Sequence, residues 1–259
     1  MSRGDRAGPR KRGFFDTLAW LNNRAILRYD RDGEVAFFDR ASFPWLDALE
    51  AAYPAIRAEA DAVLDVREHV PAFRDLSPRQ RRLGDDDRWR TFWLMFYGRS
   101  IEAGARLCPN TARAVSGVPG LRSAMFSILE PGREIPPHYG PNKALLRVHM
   151  GVRVPSPDPQ TCGIRVDDET RGWEEGRCMV FDDTWEHEAW NRSAAPRVVL
   201  FIDVARPLSG ALGLLNQGLQ SMASRFAPDV RVTYANAVRH AEFLHGLKTE
   251  GKSPHDPAP

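Results

Sequence analysis

The stretch IPPHYGPNKALLRVHMG, residues 135–151, sets His138, Arg147 and His149 in and beside a run of apolar residues. Two later segments add to them: DDTWEHEAWN carries His187, and RVVLFIDV begins at Arg197. An imidazole is a metal ligand or a proton carrier, and a guanidinium offers a planar fork of donors to a carboxylate. Two histidines at strand ends suit non-haem Fe(II), which commonly adds one carboxylate and keeps positions open for co-substrate and oxygen. A cation one strand beyond His187 suits a dicarboxylate held through the fork of Arg197. The same residue types also serve structure. A lone histidine is usually a packed residue, and a strand arginine usually pairs with Asp or Glu or faces water.

Side chains alternate along a strand. In ALLRVHMGV, Leu146, Val148, Met150 and Val152 therefore face one way, and Leu145, Arg147, His149 and Gly151 the other. In RVVLFIDV, Arg197, Val199, Phe201 and Asp203 share a face. Each strand has one apolar face and one face with a cation on it. A buried cation needs an anion, from the protein or from a ligand.

The elements that must position these residues fall into three zones. Residues 1–40 read as a basic tail with an amphipathic start. Residues 41–208 form the main domain, with helical support over 41–120 and a β core over 121–208. Residues 209–259 are a C-terminal helical extension and tail. FPWLDALEAAYPAIRAEADAVLD has helical spacing, with Pro54 placed to kink or divide it. The segments SAMFSIL, ALLRVHMGVRV, GIRVD, RCMVFDD and RVVLFIDV are short β runs separated by Pro and Gly turns. Strands at that spacing with no helices between them predict an antiparallel sandwich or barrel, braced by the helical flanks.

Composition sets bounds. With 36 basic and 34 acidic residues the net charge is +2, so no nucleic-acid partner is expected. Cys108, Cys162 and Cys178 are odd in number and scattered, which fits a reducing compartment and a cytoplasmic location. No apolar run approaches the roughly 18 residues of a membrane span. The opening MSRGDRAGPRKRGFFDTLAWLNN has the charge order of a signal peptide, but its apolar part is short and broken by Asp16. It reads as a tail leading into an amphipathic helix, with contact at a membrane surface as the alternative. The oligomeric state is not legible.

SILEPGREIPPHYGPNKALLRVHMGV, WEEGRCMVFDDTWEHEAWNRS and RVVLFIDVARPL, in that order over about residues 123–208, closely resemble the aspartyl/asparaginyl β-hydroxylase family. The resemblance implies a double-stranded β-helix (jelly roll, cupin-like) core and an oxygenase dependent on Fe(II), 2-oxoglutarate and O2. It implies that His138 and His187 bind iron, and that Arg197, helped by Ser127, holds the distal carboxylate of 2-oxoglutarate. Arg147 and His149 would stand near the other end of the co-substrate and the substrate, so the polar face of LLRVHMG would line the pocket. Gly140 stands where most oxygenases of this fold carry the third ligand, a carboxylate, and water is expected there instead. Met125 stands where members acting on protein side chains are expected to carry a lysine, and AMF is similar to bacterial members that hydroxylate lipid A acyl chains.

The expected activity is β-hydroxylation of an aspartyl or asparaginyl group, in a peptide, free or carrier-bound. A lipid A fatty-acyl 2-hydroxylase is the second reading. A non-catalytic module of the same fold that binds a small acid is the third.

Overall fold

A computed structural model of the chain describes residues 13–77, 83 and 86–249. The basic tail expected over residues 1–12, the C-terminal tail and His255 lie outside the described residues, as does part of the charged loop around residue 80. The elements run α1 (Phe14–Tyr29), β1 (Phe37–Phe38), α2 (Leu46–Ala51), α3 (Tyr53–Leu64), α4 (Phe73–Leu76), β2 (Trp89–Phe96), β3 (Arg99–Ser100), α5 (Glu102–Leu107), α6 (Pro109–Ser116), β4 (Leu121–Leu129), β5 (Arg133–His138), β6 (Leu145–Arg153), β7 (Cys162–Val166), β8 (Glu169–Gly172), β9 (Cys178–Phe181), β10 (His187–Asn191), β11 (Arg197–Ala205), α7 (Gly210–Phe226) and α8 (Pro228–Thr249). One sheet has the order β1-β9-β6-β11-β4-β2-β3 and the other β5-β10-β7-β8. Strands β4 to β11 divide equally between the two, and their pairings are antiparallel. This is the jelly-roll ordering of a double-stranded β-helix, flanked by helices.

The large sheet has two apolar faces. On one, Phe126, Val148, Met150, Leu200 and Ile202 join Leu46, Leu49, Ile56 and Ala60 from α2 and α3. On the other, Met125, Val199 and Phe201 join Ile135, Ile164 and Ala189 from the small sheet, which closes the barrel. Pro54 is near the start of α3, where a missing N–H costs nothing, so the helical run around it is two helices. The Glu59 carboxylate of α3 accepts from the backbone N–H groups of Asn110 and Thr111 at 2.8 and 2.7 Å. A negative group there satisfies two orphan donors at the N-terminus of α6.

The division at residue 121 is corrected by the sheet itself. Strand β2 pairs along β4, and β1 pairs with β9, so the β structure reaches back into the region expected to be helical support. The run WRTFWLMF gives no alternation because both its faces are covered: Phe92 and Leu94 lie in the helical layer, Trp93 in the barrel. Strands β5, β8 and β10 were not among the expected runs. Strand β5 contains Pro136 and Pro137, which a strand tolerates at a sheet edge, and β5 is an edge.

A buried ion cluster ties the loops at one end of the barrel. The Asp182 carboxylate, after β9, accepts from Lys143 Nζ at 2.6 Å and also from Arg206 Nη2. Arg206 donates through Nε to the Lys143 carbonyl at 2.8 Å and through Nη1 to Asp30, just past α1, at 3.2 Å. All three charged groups of the core cluster are buried. Removing the anion leaves two buried cations facing each other, a loss of about 3–5 kcal/mol. Asp182→Ala is therefore expected to lower the urea midpoint by that amount at unchanged slope. A variant within about 1 kcal/mol of the parent would contradict the cluster's burial.

Candidate active site

Strands β5 and β10 run antiparallel with His138 directly opposite His187, and the two rings lie 4.0 Å apart between centroids. Both ring orientations are set by the backbone. His138 Nδ1 lies 2.8 Å from the Pro136 carbonyl, and His187 Nδ1 lies 3.0 Å from the Trp185 carbonyl. A carbonyl only accepts, so Nδ1 of each ring carries a proton, and in the neutral form of either ring the lone pair is on Nε2. Burial, aided by the charge of Arg147, pushes His187 down to about 4, so its ring is neutral at neutral pH. The sequence reading put the two histidines at strand ends; the structure makes them facing residues of one ladder.

Among the described residues, no third His, Cys, Asp or Glu completes a metal-holding group with the pair. The space beside Gly140 is nevertheless filled. A Cβ there would lie 2.2 Å from the Asp183 carboxylate, and the Gly140 N–H donates to the Asp183 carbonyl at 2.7 Å. The carboxylate that fills this space comes from the loop after β9. Asp182 and Asp183, adjacent in sequence, thus serve different sites.

The inner face of the large sheet supplies the rest. Arg197 is 1% exposed, and its Nε and Nη2 have no hydrogen-bond partner. Its guanidinium stacks 4.6 Å from the centroid of the Trp173 ring. Burial lowers its pKa to about 10, so it stays cationic at neutral pH. His149 lies in the same interior, between Trp173, Phe181 and Phe201, with both ring nitrogens buried and unpartnered. Burial, then the nearby Arg147 and Arg197, holds it neutral. Ser127 shares this face and accepts a hydrogen bond from Trp89 Nε1 at 3.0 Å.

Arg147 departs from expectation. Its Nε and Nη2 both donate to Asp203 Oδ1 at 3.1 Å, and its Nη1 lies 2.9 Å from Asp183 Oδ2. Burial opposes its charge, but the two aspartates outweigh burial and raise its pKa. The roles expected for Arg147, in catalysis and in holding the co-substrate, meet a guanidinium whose donors are engaged by protein carboxylates. Of the two inward arginines, Arg197 alone presents an unanswered fork.

Strand alternation did not place Trp173, which walls the site from the segment between β8 and β9. Nor did it find Trp89 or the function of Asp183. Asp203 carried a signal, because alternation sets it on the face of Arg197. Glu186 and Glu188 bind Arg165 instead. His69 packs on Phe243, and His240 and His245 belong to α8, apart from the paired histidines.

The chain matches the family model described as aspartyl/asparaginyl beta-hydroxylase over residues 50–207. It is 41% identical over 227 residues to the ornithine lipid ester-linked acyl 2-hydroxylase of Rhizobium tropici, covering 88% of this chain and 80% of that protein. It is 33% identical over 165 residues to the aspartyl/asparaginyl beta-hydroxylase of Homo sapiens, covering 62% of this chain but 21% of that protein. A cupin 2 conserved barrel domain protein from Salinispora arenicola shares 10% identity at a TM-score of 0.31, over 52% of this chain and 88% of that one.

The crowding at Gly140 makes a prediction. Gly140→Ala must displace the Asp183 carboxylate and break its pairing with Arg147, at about 1–3 kcal/mol of stability. In an Asp183→Ala background the same substitution is expected to be nearly neutral. A double-mutant cycle by denaturant unfolding measures the coupling, and additive effects would remove the contact.

Proposed function

The chain belongs to the aspartyl/asparaginyl β-hydroxylase family, and from that premise we propose an Fe(II)- and 2-oxoglutarate-dependent hydroxylase acting at C2 of a lipid-borne acyl chain. The unanswered fork of buried Arg197 is the observation that carries the co-substrate assignment. A buried cation with free donors is matched by a carboxylate, and a bidentate pair fixes its orientation. The Nε2 atoms of His138 and His187 would hold the iron. When bound, iron and 2-oxoglutarate supply the oxidising power that places a hydroxyl on an unactivated C–H, with O2 consumed and succinate and CO2 released.

The protein's own part is orientation and exclusion. The backbone carbonyls of Pro136 and Trp185 hold both imidazoles with Nε2 presented. Arg197, backed by Trp173, would seat the distal carboxylate. Phe181, Phe201 and Met125 give the barrel interior an apolar lining that keeps water from the reacting carbon. Arg147, tied to Asp183 and Asp203, would position the Asp183 carboxylate beside Gly140.

For the substrate, the order of the two sequence readings is reversed. A match of 227 residues within this chain must run from residue 33 or earlier to residue 227 or later, so the likeness to the lipid hydroxylase takes in all of α7. Met125 in place of lysine points the same way. The ornithine lipid named for the relative replaces lipid A as the nearest example of such a substrate.

Two measurements test this reading. Arg197→Ala is expected to raise the half-saturating 2-oxoglutarate by about 30-fold or more, because losing one partner of a desolvated charge pair costs roughly 2–5 kcal/mol. Arg197→Lys should recover part of this, since an ammonium lacks the fork, and iron affinity should be unchanged in both. His187→Ala should lose iron binding, read by metal titration, while staying folded. An unchanged 2-oxoglutarate dependence in Arg197→Ala would remove the co-substrate role. Mass detection of a hydroxylated product from acyl lipids, but not from aspartyl peptides, is the expected substrate outcome.

A further inference from the structure

Helices α1 and α7 lie side by side, joined by Asn22 Nδ2 donating to Asn216 Oδ1 at 3.3 Å. A groove between them is lined by Phe15, Leu18, Ala19, Leu219 and Met222. Their outward faces are unusually apolar for a protein surface. Phe14 is 67% exposed and Leu21 52% on α1, and Leu214 is 73% and Leu215 51% on α7. The exposed charged residues of the two helices are cationic, Arg24 and Arg28 on α1 and Arg225 on α7, while α1 also carries the half-buried Asp16. In the sequence, the first twelve residues hold five basic side chains and one acidic.

This face adjoins the site. Asn23 of α1 donates to the Pro141 carbonyl at 3.0 Å and accepts from the Lys143 N–H at 2.9 Å. Asn216 and Gln220 of α7 both donate to the Ala144 carbonyl, at 3.4 and 3.2 Å. Residues 139–144 are the segment that leaves His138, and Tyr139 on it is 48% exposed. The two helices therefore flank the rim of the barrel end that carries the histidine pair.

We propose that the paired outward faces of α1 and α7 dock the protein on an anionic lipid bilayer, presenting the histidine end of the barrel to lipid acyl chains. This inference rests on the lipid reading of the substrate. Leucine and phenylalanine side chains enter the headgroup boundary, arginines at the same level meet acidic headgroups, and no spanning helix is needed. Among the described residues no helix is long and apolar enough to cross a membrane. The occupant is set by charge: the exposed ionic residues on these two faces are of one sign, and an anionic lipid surface matches them.

The test uses the full chain and sedimentation with vesicles of phosphatidylcholine alone or mixed in equal parts with phosphatidylglycerol. Binding is expected to the mixed vesicles, to weaken with added salt, and to be much lower on phosphatidylcholine. Leu214→Glu with Leu215→Glu is expected to reduce partitioning by about tenfold or more. Arg24→Glu with Arg28→Glu is expected to reduce it by about fivefold for each arginine removed. Both variants should keep the parent's 2-oxoglutarate affinity and its turnover of a soluble short-chain acyl substrate, while losing turnover of vesicle-embedded lipid. Equal vesicle binding by parent and variants would overturn the proposal. A parent that is dimeric by light scattering, with the leucine variant monomeric and vesicle binding absent, would assign the face to a second copy and overturn it too. Parent protein that binds vesicles through these residues yet hydroxylates no lipid, dispersed or embedded, would leave the docking face standing and remove the substrate reading.

Discussion

The guanidinium of Arg197 sets the terms for the rest of the barrel. It is buried with two donor groups unanswered, and even with its pKa lowered to about 10 it stays charged at neutral pH. An isolated buried cation costs several kcal/mol, so a fold that keeps one needs a rigid frame around it. That frame is the centre of the large sheet, where β11 is laddered on both sides by β6 and β4. The face of Trp173 offsets part of the cost through its ring electrons. Six residues from Arg197 along the same face of β11, the barrel changes character: Arg147 meets Asp203 across the β6–β11 ladder and Asp183 from the loop beyond β9. One arginine is answered by protein carboxylates and the other presents donors without a partner.

The histidine pair depends on a different constraint. Two imidazoles face each other only if β5 holds its register against β10, and that register shifts between His187 and Ala189. Prolines stiffen β5 at a sheet edge, where their missing donors are not needed for the ladder. The chain leaving His138 is then pinned twice, by Gly140 to the Asp183 carbonyl and by Lys143 to Asp182. Because Asp182 also holds Arg206, and Arg206 reaches Asp30, the loop position is coupled to the end of α1. The surface helices and the interior site are thus parts of one connected hydrogen-bond network.

What could be read in the sequence follows from this physics. Strands β6 and β11 have one apolar face each, so period-2 alternation exposed Arg147, His149, Arg197 and Asp203 on the inner side. The paired histidines and Arg197 lay in segments whose resemblance to a family was specific. Strand β2 was hidden because both faces are covered, and β5 because its prolines look like a loop. Trp173 could not be found, since its place depends on a non-periodic segment folding back over β11. The partners of Arg147 were equally out of reach: Asp183 is brought by tertiary structure, and nothing local separates it from Asp182.

Charge accounting inside the barrel bears on which substrate fits. The charge of Arg147 is answered by Asp183 and Asp203, and Arg197 supplies the remaining positive charge. Adding a divalent metal and a dicarboxylate leaves that sum unchanged. An aspartyl side chain would bring one more carboxylate and would need one more cation. Among the described residues the other buried cations, Lys143 and Arg206, are committed to Asp182, and position 125 on the same inner face is methionine. An uncharged acyl chain asks for no such partner and gains from the apolar lining already present. The electrostatic balance of the interior therefore supports the acyl substrate proposed above.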